Sequence, residues 1–202
     1  MITERQVDGL NLSQREIAMT ELSCPGSGKN TISLKLFLPR HTSQQVKKAA
    51  DIVLDSADIF AAFLRPTQKG WRMDYGREKK DACRITEEQS ADAAEEYMDS
   101  ADRQPMNLEG SLYQAEVIPL LEGGVFLYVR FHHIIIDGYG MSLFVQRVLD
   151  VLAGKKIKPS LFAARCGNGI KGDSSFWSGY FSDAEFEPSI FSGKATGMEY
   201  GS

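Results

Sequence analysis

The segment that most restricts the fold is Val125-Phe126-Leu127-Tyr128-Val129-Arg130-Phe131-His132. It is almost wholly apolar and rich in β-branched and aromatic residues. Such a run is stable only as a strand covered on both faces, so it belongs at the centre of a sheet. Glu122-Gly123-Gly124 precedes it and reads as a hairpin turn joining it to a second strand over Leu112 to Leu120. After it come His133-Ile134-Ile135-Ile136-Asp137-Gly138-Tyr139-Gly140 and then a helix. The helix carries Met141, Phe144, Val145, Val148, Leu149 and Leu152 on one stripe. Gly154 ends that helix, and Lys155 and Lys156 sit near the negative end of its dipole.

Further elements follow from local signals. Ser13-Gln14-Arg15-Glu16, Thr42-Ser43-Gln44-Gln45 and Thr86-Glu87-Glu88-Gln89 each have the spacing of a capping box and predict three helix starts. The second helix carries Val46, Ala49, Ala50, Val53 and Leu54 on one face; the third carries Ala93, Ala94, Tyr97, Met98 and Ala101. Ile32, Leu34, Leu36 and Leu38 alternate with Ser33, Lys35 and Phe37, the period of a half-buried strand. Trp71 to Tyr75 is a short further strand. The order of elements predicts an α/β sandwich with a mixed or mainly antiparallel sheet flanked by helices. After about Ser160 the pattern weakens. Phe176-Trp177 and Tyr180-Phe181 remain as anchors, and the chain from Pro188 onward reads as a linker or as an element separated from its partner.

Composition excludes several classes of function. With 202 residues, 43% hydrophobic, 25% charged and a net charge of −4, the chain has the balance of a globular domain and no basic stripe for nucleic acid. Cys24, Cys83 and Cys166 form no C-x-x-C, so neither a zinc site nor a redox pair is expected, and a reducing cytoplasmic setting fits. No signal peptide or membrane-spanning run is apparent. Cys24-Pro25-Gly26-Ser27-Gly28-Lys29-Asn30 has the Gly-Lys of a phosphate loop. However, Ser23 stands where the loop's first Gly is needed and Asn30 where Ser or Thr would hold magnesium, so it is read as a glycine-rich turn. Ser111 is read as a turn residue, and Glu87, Glu88, Glu95 and Glu96 as a solvated face without a metal role.

The chemistry is expected at His132-His133-Ile134-Ile135-Ile136-Asp137-Gly138. A polar cluster where a strand passes into a helix is a favoured place for an active site. Successive strand side chains point to opposite faces, so one histidine should face a cavity and the other the protein body. Asp137 lies too far along an extended chain to reach His133, but a bend would let its carboxylate return to brace the loop or the histidine.

This pattern, HHxxxDG, resembles the signature of nonribosomal peptide synthetase condensation domains, members of the chloramphenicol acetyltransferase-like superfamily. The resemblance runs in order along the chain. It takes in Leu12 to Ile17, Ile32 to Pro39, Ala50 to Phe63, Pro105-Met106-Asn107-Leu108 and Phe176-Trp177. It implies joining of a donor acyl or peptidyl thioester to the amine of an acceptor aminoacyl thioester. Both substrates ride on phosphopantetheine arms of carrier proteins, with no cofactor bound by this lobe and no metal. It implies His133 as the functional histidine beside His132, Asp137 as structural and Gly138 beside the reacting centre. Tyr139, Gly140 and Ser142 are the expected substrate contacts, and Tyr139-Gly140 is similar to members that load the first unit.

Two departures matter. The family's second motif has Leu-Arg-x-x-Phe, whereas Ile59-Phe60-Ala61-Ala62-Phe63 aligns here, so Phe60 replaces an arginine that the resemblance implies braces Asp137. Arg65 and Arg130 are the nearest substitutes. A complete member also has two lobes with the site between them. Residues 1–181 are therefore expected to be the N-terminal lobe and 182–202 a tail or the start of the segment crossing to the missing C-terminal lobe. Such a lobe is expected to fold but not to catalyse alone, and its bared interface to favour self-association. Expected partners are carrier proteins, the C-terminal lobe and an adjacent adenylation domain. The alternatives are a stand-alone trimeric acyl-CoA-dependent acyltransferase and a non-catalytic carrier-docking lobe.

Overall fold

The strand Val125–His132 (β6) lies inside a four-stranded sheet and organises the rest of the molecule. A computed structural model describes residues 10–24, 26–68, 70–76 and 82–160, all within one compact unit, Met1–Gly169. The expected anchors Phe176-Trp177 and Tyr180-Phe181, Cys166 and the 182–202 tail lie outside the described residues.

β6 pairs antiparallel with Thr31–Leu38 (β1) on one side and with Tyr113–Pro119 (β5) on the other. β5 in turn pairs parallel with the two-residue strand Arg84–Ile85 (β4), so the sheet is mixed and runs β1-β6-β5-β4. Phe63–Thr67 (β2) and Gly70–Asp74 (β3) form a separate antiparallel ribbon. The turn between β5 and β6 needs glycine. Gly124 has φ of 82°, and a Cβ there would lie 2.9 Å from the Phe37 ring and 3.0 Å from the backbone of Pro39.

Helices cover both faces. Ser43–Asp55 (α2) and Gly138–Leu152 (α4) pack on the face of β6 that carries Leu127, Val129 and Phe131. Ala91–Asp102 (α3) packs on the other face, where Ala94 and Met98 meet Tyr128 and Ile118. α2 starts at its expected box, Thr42 with Gln45. Two other expected starts are corrected. The helix Leu12–Ser23 (α1) is capped by Asn11 reciprocally with Gln14, two residues before the predicted Ser13 box. α3 is capped by Ser90, because Thr86 and Gln89 hydrogen-bond along β5 and are unavailable to a helix.

α1 also explains why its sequence shows no apolar stripe. Its buried positions are Gln14, Ala18 and Glu21, spaced four and three apart on one face. Two of the three are polar, and both point at the end of β6.

Candidate active site

β6 ends at His132, and the next residues make a short loop before α4. Four bonds pin this loop through consecutive peptide groups. His133 N–H donates to the Asn30 carbonyl at 2.6 Å and Ile135 N–H to the His132 carbonyl at 3.1 Å. The Ile134 carbonyl accepts from Gln14 Nε2 at 3.0 Å, and Ile134 N–H donates to His132 Nδ1 at 3.2 Å.

These bonds set the two histidines in opposite tautomers. His132 Nδ1 accepts a proton donor, so the ring proton of its neutral form sits on Nε2. His133 Nδ1 lies 2.8 Å from the Ile136 carbonyl. A carbonyl can only accept, so Nδ1 carries the proton and Nε2 keeps its lone pair. His133 lines a cavity of about 670 Å³. His132 is 2% exposed and faces the protein body. The alternation expected along the strand is therefore realised, with His133 on the cavity side.

His132 sits in a buried polar cluster. Its Nε2 has no hydrogen-bond partner and lies 3.7 Å from Glu21 Oε2, an oxygen that also accepts from Asn30 Nδ2 at 2.8 Å. Burial pushes the His132 pKa below its usual 6.5, with Glu21 opposing the shift and His133 adding to it.

Asp137 is solvent-exposed and caps α4. Its Oδ1 accepts from Gly140 N–H at 2.7 Å, satisfying a donor the helix start leaves open. The carboxylate thus braces the loop rather than the histidine, and it needs no arginine. Arg65 is committed to Asp74 at 2.8 Å, and Arg130 to the Gln104 carbonyl and Gln114, so neither substitutes for the missing guanidinium. Phe60 instead joins an aromatic cluster behind the loop, its ring centroid 5.6 Å from Phe131 and 6.0 Å from Phe144.

Of the other expected site residues, Tyr139 and Gly140 reach the cavity wall; Tyr139 is 74% exposed. Gly140 is tightly confined, since a Cβ there would lie 2.7 Å from Ile136 Cγ1. Gly138 and Ser142 are not in the wall, and the Ser142 hydroxyl donates to the Gly138 carbonyl at 3.1 Å. Sequence reasoning missed Arg147, which lines the cavity and donates to Ser56 Oγ at 3.2 Å. It also missed the role of Gln14, whose capping spacing was visible but was assigned two residues too late. Most of the remaining wall is apolar, from Ile17, Ile59, Phe60, Ile136, Leu143 and Phe144. Among the described residues, no group of three His, Cys, Asp or Glu side chains could hold a metal, and no helix is long and apolar enough to cross a membrane.

The fold has known counterparts. The chain is similar to the starter condensation domain of rhizomide synthetase RzmA, with 21% identity and a TM-score of 0.69, over 86% of this chain and 46% of that one. A variant of the same domain in complex with C8-CoA matches with 22% identity and a TM-score of 0.68, over 86% and 45% of the two chains. The first condensation domain of the calcium-dependent antibiotic synthetase matches with 18% identity and a TM-score of 0.63, over 86% and 47%. The chain spans about half the length of these structures. No curated protein matches it. The Condensation domain family model matches residues 10–164, well over half of the sequence. The chain therefore belongs to the condensation-domain family and corresponds to its N-terminal portion.

Proposed function

We propose that this chain supplies the reactive histidine of an amide-forming condensation domain of a nonribosomal peptide synthetase. The observation that carries the reading is the His133 tautomer. With its proton held on Nδ1 by the Ile136 carbonyl, the ring offers a bare Nε2 as the proton acceptor on a cavity wall.

The acceptor amine nitrogen bonds to the thioester carbonyl carbon, and the C–S bond breaks. His133 Nε2 takes the proton that the nitrogen sheds, and that proton leaves with the thiol. An α-amine has a pKa of about 7.7–8.0, so much of it is already neutral and a strong base is unnecessary. Acceptance of the proton is worth roughly 10² to 10⁴ in rate, and orientation of the amine adds to this.

In this reading Asp137 and Gly138 shape the turn, and Tyr139 and Gly140 contact the donor. Ser142 lies one helical turn further along α4. The donor is an acyl thioester, carrier-borne or on coenzyme A; the C8-CoA complex of the rhizomide relative and the apolar wall beside Phe60 support it. The C-terminal lobe completes the site, and carrier and adenylation domains supply the substrates.

The test uses the two-lobed parent with acyl-loaded donor and aminoacyl-loaded acceptor carriers, read by intact-protein mass spectrometry. His133→Ala should lower amide formation by about 10²-fold or more. Equal product from both proteins would remove His133 from the mechanism. Carrier binding without product from either would favour the non-catalytic docking lobe. Turnover of acyl-CoA by the 202-residue chain alone would restore the stand-alone acyltransferase.

A further inference from the structure

Resting on the role proposed for His133, we infer that Gln14 is a positioning residue that holds His133 in its reactive tautomer. Gln14 belongs to α1, a helix distant in sequence from the motif, and the residue is 5% exposed. Both ends of its amide are committed. Oε1 accepts from Asn11 N–H at 3.1 Å, and Nε2 donates to the Ile134 carbonyl at 3.0 Å. Exchanging the two ends would lose both bonds, so the orientation of the amide is fixed.

The bond to Ile134 falls at a critical place. The peptide group between Ile134 and Ile135 is held at its N–H by the His132 carbonyl and at its C=O by Gln14. Two residues further on is the Ile136 carbonyl that accepts from His133 Nδ1. With the Gln14 donor gone, the buried Ile134 carbonyl must turn to find another partner. That rotation carries the Ile136 carbonyl away from the ring and releases the proton from Nδ1. Gln14 thus acts on the imidazole through two peptide units without touching it.

The sequence makes this measurable in the chain as it stands. There are three histidines, His41, His132 and His133, so nitrogen-15 NMR can follow each ring separately. In the neutral form of a ring the two nitrogens have distinct shifts, so the tautomer ratio can be read directly. Gln14→Glu keeps the acceptor that serves Asn11 but loses the donor. Gln14→Met loses the donor without adding charge. Asn11→Ala weakens the helix cap and leaves the Ile134 bond in place. Both Gln14 variants should lower the Nδ1–H to Nε2–H ratio of His133 roughly fivefold, the scale of one net hydrogen bond, with Asn11→Ala near wild type. An unmoved ratio in the Gln14 variants would overturn the inference. So would an equal shift in Asn11→Ala, or a shift with Glu but not with Met. If one Gln14 variant does not fold, the other carries the test.

In the two-lobed parent, Gln14→Met should lower kcat and leave KM for the carriers unchanged. Full activity of His133→Ala alongside a shifted tautomer ratio would overturn the proposed function and leave the positioning role of Gln14 standing.

Discussion

The two faces of the central strand are built from opposite materials. One face carries Leu127, Val129 and Phe131 and meets α2 and α4 in an apolar core that includes Phe60, Tyr113 and Phe144. The other carries Tyr128, Arg130 and His132; beside a smaller apolar contact with Ala94, Met98 and Ile118, it meets a set of polar groups. The Tyr128 hydroxyl donates to Asp102 at 2.6 Å. Glu116, fully buried beside it, accepts from Arg84 Nε at 2.9 Å and from the Tyr97 hydroxyl at 2.8 Å. Apolar contact is non-directional and supplies most of the stability. Buried hydrogen bonds are directional and contribute mainly by being expensive to leave unmade. One face therefore holds the strand, while the other fixes its orientation, and the motif loop emerges where the two meet.

The sharpest way to break this division is to damage the apolar face. Phe131→Ala should cost about 3–5 kcal/mol, because it opens a cavity among Phe60, Tyr113 and Phe144. Chemical denaturation measures it, and a loss under about 1 kcal/mol would show that the aromatic cluster is not the anchor.

The polar face should respond differently. Glu116→Gln should cost about 1–3 kcal/mol, since Tyr97 and Arg84 lose a charged acceptor. Replacing the pair together, Arg84→Met with Glu116→Met, should recover part of that loss, because the buried carboxylate is removed along with its half-exposed partner. A double variant no more stable than Glu116→Gln would mean that this face carries stability of its own.

The smallest effect is a slope with pH. Burial holds the folded pKa of His132 below the ordinary 6.5, so the unfolded chain binds the proton first as pH falls. The contribution of neutral His132 is present above about pH 6.5 and is lost as pH falls toward the folded value. Melting temperatures followed downward from about pH 8 should fall less steeply for His132→Asn than for wild type. Identical slopes would remove His132 as the source.

The same division decides what could be seen in the sequence. β6, its hairpin, α2 and α4 were legible because they contribute to the apolar face, whose burial writes a period into the residues. α1 was mis-started because its buried face is Gln14, Ala18 and Glu21, which has no hydrophobic period to read. β4 escaped notice because a two-residue strand has no period at all, and β2 because Arg65, Pro66 and Thr67 are exposed. At the site, alternation along β6 required the histidines to diverge. It did not say which of them met the cavity, and the resemblance supplied that. The role of Asp137 depended on where α4 begins, a boundary that Gly138 and Gly140 do not mark.

The hold on the motif loop has a consequence for ionic strength. The bonds at residues 133–137 run from amides, ring nitrogens and one carboxylate to backbone partners or Gln14. Among the described residues, no ion pair holds this segment. Salt weakens attractions between separated charges and barely touches short contacts to neutral dipoles. A solvent-exposed guanidinium brace would weaken in concentrated salt, whereas a loop tied to peptide groups is expected to hold its shape with little dependence on electrolyte.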